Sequence, residues 1–261
     1  MTNALRHHWP EYVMEAVGLG LFMIAAGLAA ALVHHPASPI AHAIADPVLR
    51  RVLTGVLMGS TAIALVCSPW GRRSGAHMNP SFTIAFFRLG KMTAWDAAFY
   101  VIAQFIGAIL GIAVAAVLLG SVLSTADVNY AATIPGPYGA RIAFAGELAI
   151  SFVLMLTVLI VSNTMPLSRY TPWFVGVLVA SYITVESPLS GMSMNPARTF
   201  GPALVGGVWN ALWVYFTAPP LGMLLASELY VRIRGARSVW CAKLHHDNNA
   251  RCIFHCAHPP V

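Results

Sequence analysis

"SGAHMNPS" (residues 74–81) and "SGMSMNPA" (190–197) share Ser, Gly, Met, Asn and Pro in register. Asn is among the best helix N-caps and Pro is favoured at the first helical position, so each Asn-Pro pair starts a helix. "NPSFTIAFFRL" (79–89) runs 11 residues before Gly90, and "NPARTFGPALV" (195–205) has the same length. At 1.5 Å per residue each spans about 16 Å, roughly half of a hydrocarbon core about 30 Å thick. Two half-helices entering from opposite faces would meet near the midplane and together imitate one more span. Non-helical backbone at that depth is tolerated only where it is buried in protein or lines a water-filled cavity. Arg198, three residues after the second Asn, sharpens the point, because an intramembrane arginine marks a functional path by default.

Composition supplies the membrane. The chain is 58% hydrophobic and 9% charged, where a soluble domain carries roughly a quarter charged residues. Six apolar stretches, near 12–33, 48–67, 95–119, 141–162, 172–186 and 208–231, approach the ~20 residues of a helical span. The fifth is short and is expected to dip into the following loop. The first has no small-residue cleavage pattern and reads as a retained helix. This divides the chain into an N-terminus (1–11), a channel domain (12–231, with halves at about 12–119 and 141–231) and a Cys/His-containing tail (232–261). With both termini cytoplasmic, eleven Lys and Arg residues lie inside and four outside, as the positive-inside rule requires. The basic charges sit at helix ends and in the tail, so nucleic acid is not an expected partner.

The duplication extends beyond the Asn-Pro boxes. "MEAVGLGLFM" (14–23) is echoed by "GELAISFVLM" (146–155), which aligns Glu15 with Glu147. Three spans per half put the halves in opposite orientations, an inverted repeat. The predicted fold is therefore an all-α membrane protein with six transmembrane helices and two re-entrant half-helices. Each Asn oxygen would cap its own helix, leaving the amide NH2 of Asn79 and Asn195 as donors facing the lumen. Two opposed helix N-termini add positive potential there, a barrier to cations. The carbonyls of Gly75, Ala76 and His77, and of Gly191, Met192 and Ser193, are expected to form acceptor ladders. Glu15 and Glu147 are expected to be buried scaffold acids that accept from the preceding loops. No hydrolase or oxidoreductase constellation is visible, so neither enzyme activity nor a cofactor is expected.

The boxes Asn79-Pro80-Ser81 and Asn195-Pro196-Ala197, the Arg after the second, and the paired glutamates together resemble the aquaporin, or major intrinsic protein, family over about residues 11–231. Ser81 departs from the usual Ala, but is small enough to fit. The resemblance implies a pore in every subunit, a homotetramer in a plasma (inner) membrane, and passage of water and small neutral solutes. It also implies a narrow filter at Gly59, Ile183, Met192 and Arg198. Gly59 in place of an aromatic wall leads to the expectation of a wide aperture whose solute cutoff Gly59 sets. Thr199, where glycerol facilitators usually carry Asp, and Tyr215-Phe216 point instead to the water-channel pattern. Glycerol, urea, ammonia and metalloid hydroxides all stay open, as do a strictly water-selective pore and, from another class, a secondary transporter.

The tail "CAKLHHDNNARCIFHCAHPPV" (241–261) is expected to be disordered and reduced. No metal site is assigned, although Cys241, His245, Cys252 and Cys256 have spacings that a tetrahedral zinc site could use. Cys67 has no apparent partner.

Overall fold

The structure is a computed structural model and describes residues 1–246 and 250–258. The described residues are helical with no strand, in the order α1 (Thr2–His34), α2 (Pro39–Ala43), α3 (Pro47–Cys67), α4 (Pro69–Ser74), α5 (Pro80–Arg88), α6 (Ala94–Leu119), α7 (Gly139–Ser162), α8 (Thr171–Val185), α9 (Ser187–Ser190), α10 (Pro196–Gly206) and α11 (Leu212–Arg234). α1 packs along α6, α7 along α11, and α3 along α8. The half-helices α5 and α10 cross over: α5 packs on α11 and α10 on α6, so each half of the repeat braces the short helix of the other.

Each start has a local cause. Asp46, Thr93 and Ser68 accept from backbone N–H groups at the beginnings of α3, α6 and α4, and Asn79 and Asn195 do the same for α5 and α10. α1 begins at Thr2, ten residues before the apolar stretch that predicts it. Its first turns carry polar groups that are buried against protein. Glu11 pairs with Arg73 at 2.9 Å, and buried Asp96 accepts from Tyr12 Oη at 2.6 Å and faces His8 Nδ1 at 2.7 Å. Hydropathy registers contact with lipid, and these turns contact neighbouring side chains.

Among the described helices four are long and apolar enough to cross a membrane by themselves: the one from Ala4 to His34, α3, the one from Ala94 to Val122, and α7. α8 has 15 residues, about 22 Å at 1.5 Å per residue, and α9 continues its course after Glu186. α11 has 23 residues but contains Pro219, Pro220 and Glu228. The outer face exposes Leu28, Val56, Ile106, Leu110, Val117, Val177, Leu225 and Ile233, an apolar girdle far beyond what a soluble monomer exposes.

Candidate conduction path

A cavity of about 540 Å³ is lined by Pro47, Arg50 and Arg51 at one end of α3 and by Leu65 and Val66 at the other. Residues 47 to 66 of a helix cover about 30 Å, the thickness of a hydrocarbon core, so the cavity runs the full depth of the bundle. Its middle is lined by Ala76, His77, Met78 and Asn79 from one half and by Gly191, Met192, Ser193, Met194 and Asn195 from the other.

The two Asn side chains hold the centre together. Asn79 Oδ1 accepts from Ser81 N at 2.8 Å, and Asn195 Oδ1 accepts from Ala197 N at 3.1 Å and Arg198 N at 3.2 Å. Asn79 Nδ2 donates to Met194 O at 2.8 Å, and Asn195 Nδ2 donates to Met78 O at 2.7 Å. This amends the expectation that each NH2 faces the lumen as a free donor. One hydrogen of each amide is spent joining the half-helix to the opposite loop, which leaves one per Asn.

The loops before the boxes are wound by alternating handedness. Ala76, Met78, Met192 and Met194 have φ of 56°, 45°, 51° and 55°, following Gly75 at 97° and Gly191 at 78°. Non-glycine residues there cost about 1–3 kcal/mol each and need outside support. The buried glutamates supply it. Glu15 accepts from Ser74 Oγ at 2.7 Å, His77 N at 3.1 Å, Met78 N at 2.5 Å and Gln104 Nε2 at 2.8 Å. Glu147 accepts from Ser190 Oγ at 2.7 Å, Ser193 N at 2.6 Å and Met194 N at 2.7 Å. Tyr100 Oη donates to Ser74 O at 2.6 Å, and Tyr215 Oη donates to Ser190 O. The tyrosine pair is part of the duplication that sequence comparison of the halves missed; each sits within the first two turns of its helix, Tyr100 in α6 and Tyr215 in α11. Glu186 was also missed: its Oε2 lies 2.8 Å from Ser190 Oγ, so two buried carboxylates face one hydroxyl.

Arg198 lines the cavity and donates from Nη1 to Ala131 O at 2.7 Å. Ile183 and Met192 line it too. Gly59 does not. A Cβ on Gly59 would lie 2.4 Å from Gly176 O, which puts Gly59 in the contact between α3 and α8. Its neighbour Met58 lines the cavity instead, with Thr54, Ala62 and Leu65. Counting back from Asn79 crosses the break between α3 and α4, and one residue of difference there turns a helix position by about 100°. The wall carries a thioether where an open gap was expected. Thr199 is buried behind the path, with its hydroxyl 2.7 Å from Thr133 Oγ1 and 2.6 Å from Ser193 Oγ.

The acceptor ladder is also shorter than expected. Gly75 does not line the cavity, and its carbonyl accepts from Leu244 N at 3.1 Å. Leu244 belongs to the tail, whose described residues are packed on the face that bears the N-terminus, contrary to the expected disorder. Trp240 N donates to Asn163 Oδ1 at 2.6 Å, His255 N to Lys91 O at 3.0 Å, and Arg251 Nη1 to His7 O at 2.9 Å. His77 Nε2 is 2.8 Å from Ala242 O, and the His77 ring stacks between Phe86 and Phe254. The buried apolar residues Val239, Ala242 and Leu244 account for the order: the tail covers the pore loops as part of the same core. Cys67 Sγ faces His245 Nδ1 at 4.0 Å. The remaining cysteines gather with His246, not with His245. The Cys252 thiol is held well below the ordinary thiol range, first by its hydrogen bond with Cys241. The same contact, with burial, pushes Cys241 up.

A bundle with two half-helices meeting across a membrane-deep cavity defines a channel protein built as an inverted repeat. The major intrinsic protein model matches residues 4–230, and the chain belongs to that family of aquaporin channels. It is 36% identical over 182 residues to "Aquaporin TIP4-4" of Zea mays, covering 68% of this chain and 70% of that one. It is 33% identical over 196 residues to "Probable aquaporin NIP-type" of Nicotiana alata, covering 70% of each. Among solved structures, the aquaglyceroporin from Plasmodium falciparum superposes with a TM-score of 0.69 over 88% of this chain and 98% of that one. At 20% identity this likeness concerns the fold alone.

Proposed function

We propose that each chain conducts water and small uncharged solutes passively and excludes protons and ions. The observation that carries this reading is the crossed pair of Asn amides at the junction of two opposed helix N-termini. Each keeps one N–H for the lumen, so a water there presents its oxygen to Asn79 and Asn195 and turns its hydrogens away. Such a water cannot pass a proton along a file, and the two dipoles raise a barrier to cations. Arg198 adds a fixed positive charge on the same path. The filter comprises Met58, Ile183, Met192 and Arg198, an apolar ring with one cationic donor edge. The cavity is lined within one chain, in keeping with a homotetramer in which every copy has its own pore. The face bearing the N-terminus and the described tail carries Arg72, Arg73, Arg88, Lys91 and Arg251, and by the positive-inside rule it is the cytoplasmic one.

Stopped-flow light scattering on proteoliposomes tests this directly. Vesicles with protein should shrink faster in an osmotic gradient while holding an imposed pH gradient. A proton leak matching that of a known proton channel, or solute uptake driven by the pH gradient, would refute passive neutral conduction. Asn195→Asp removes the N–H···O bond to Met78 and adds negative charge, so proton leak should rise in that variant.

The filter reading makes a separate prediction. Met58→Ala and Met192→Ala should each raise glycerol flux relative to water by about tenfold, which takes about 1.4 kcal/mol of barrier. The thioether is flexible and yields partly on its own, so water flux should change far less. An unchanged glycerol-to-water ratio in both variants would remove the methionines from the filter.

A further inference from the structure

Cys241, His246, Cys252 and Cys256 bring their ligand atoms within 4.8 Å of one another. Cys241 Sγ lies 3.6 Å from Cys252 Sγ, and Cys256 Sγ lies 3.1 Å from His246 Nε2. Tetrahedral zinc with bonds of about 2.3 Å to sulfur and about 2.0 Å to nitrogen needs ligand separations of roughly 3.5–3.8 Å. The Cys241–Cys252 separation already matches, and the four atoms, all within 4.8 Å of one another, need small side-chain shifts to close on one ion.

The surroundings suit a closed site. The ligands come from two arms, residues 240–246 and 250–258. Buried Lys243 reaches from the first arm to the carbonyls of Ala250 and Arg251 on the second, at 3.2 and 2.9 Å. Ala257 N donates to Trp240 O at 2.8 Å. The His258 ring stacks on His246, centroids 4.4 Å apart, and fixes its plane. Three thiolates around a divalent cation leave one net negative charge, which the Lys243 ammonium offsets. Cys256 is exposed and gives the ion a way in.

The same arms cover the pore. Leu244 lines the end of the cavity beside Leu65, Val66 and His77. Phe254, two residues after Cys252, stacks on His77 at 5.6 Å between centroids. We propose that Cys241, His246, Cys252 and Cys256 bind one zinc ion, which clamps the two arms together and holds Leu244 across the mouth of the channel, with Phe254 packed on His77 behind it. Zinc-loaded protein is then the poorly conducting state, and losing the metal frees the arms and opens the path. The inference rests on the conduction reading above, but metal binding is measurable without it.

The test uses the full-length protein in proteoliposomes, with zinc per chain measured by elemental mass spectrometry and water permeability by stopped flow. Wild type should carry one zinc per chain. Cobalt in its place should give thiolate charge-transfer absorption and the intense visible bands of a tetrahedral ion. A membrane-permeant chelator should raise wild-type water permeability about tenfold, within the usual range of ligand coupling. The double variant Cys252→Ser, Cys256→Ser should bind no zinc and conduct at the high level with or without chelator. Leu244→Ala should keep its zinc yet conduct at the high level throughout, which separates the plug from the clamp. Absence of zinc and of cobalt–thiolate absorption in monodisperse wild type would overturn the site, as would a Cys241–Cys252 disulfide found by mass spectrometry. Bound zinc with permeability indifferent to chelator and to Leu244→Ala would overturn the clamp. If no variant conducts while wild type binds zinc, the conduction reading fails and the metal site stands.

Discussion

Glu15→Ala and Glu147→Ala are expected to leave almost no folded channel. Each glutamate accepts two backbone N–H bonds that brace its pore loop around the left-handed turns at Ala76 and Met78 or at Met192 and Met194. Truncating Glu15 strands Ser74 Oγ, His77 N and Met78 N, and truncating Glu147 strands Ser193 N and Met194 N, while Gln104 Nε2 keeps Thr83 Oγ1 and Ser190 Oγ keeps Glu186. A buried donor left without its acceptor costs about 1–3 kcal/mol. Two or three of them, about 2–9 kcal/mol together, take up much of the ~5–15 kcal/mol by which most proteins are stable at all. Gln at either position keeps one oxygen and turns an NH2 toward a backbone N–H, so those variants should fold with a lowered melting temperature. Detergent size-exclusion profiles and thermal unfolding should therefore rank wild type above Gln above Ala. Alanine variants that remain monodisperse with a wild-type melting temperature would show that something else holds the loops.

Gly59→Phe should likewise fail to fold, losing water and glycerol flux together. A Cβ at this position meets Gly176 O at 2.4 Å, and a Cβ on Gly176 would meet Gly59 O at 2.7 Å. Small residues allow such close backbone approach between membrane helices. Overpacking a core costs about 1–3 kcal/mol where side chains can shift, and here the obstacle is backbone. Gly59→Ala should already lower the yield of folded protein. Met58→Ala, next in sequence but facing the cavity, should fold normally and alter selectivity alone. If Gly59→Phe folds and loses only glycerol flux, α3 is turned by one residue relative to the structure.

Much of the architecture could be read from residue order, because its causes are local. An Asn-Pro pair starts a helix wherever it occurs, and the duplicated boxes with aligned glutamates required an inverted arrangement around a central path. The length of each half-helix followed from the residues up to its terminating glycine. The missed elements depend on faces and on distant partners. Whether Gly59 or Met58 looks into the lumen differs by 100° of helix rotation, which a count across the α3–α4 break does not carry. The second role of the Asn amides required the Met78 and Met194 carbonyls to come within 2.7–2.8 Å of the opposite half.

The tail shows the division most sharply. Its Cys and His residues mark possible metal chemistry by type and spacing, and that much is legible in one dimension. Choosing His246 over His245 depends on how the two arms fold together, and ordering the segment and laying Leu244 against the pore loops depend on contacts with residues more than 150 positions away, such as Gly75 and His77. Sequence alone determined the membrane class, the inverted repeat and the capped half-helices, since each follows from neighbouring residues and their periodicity. Only the tertiary structure decided which side chains line the path and what covers its mouth, because burial and hydrogen bonding between distant segments are properties of the packed chain.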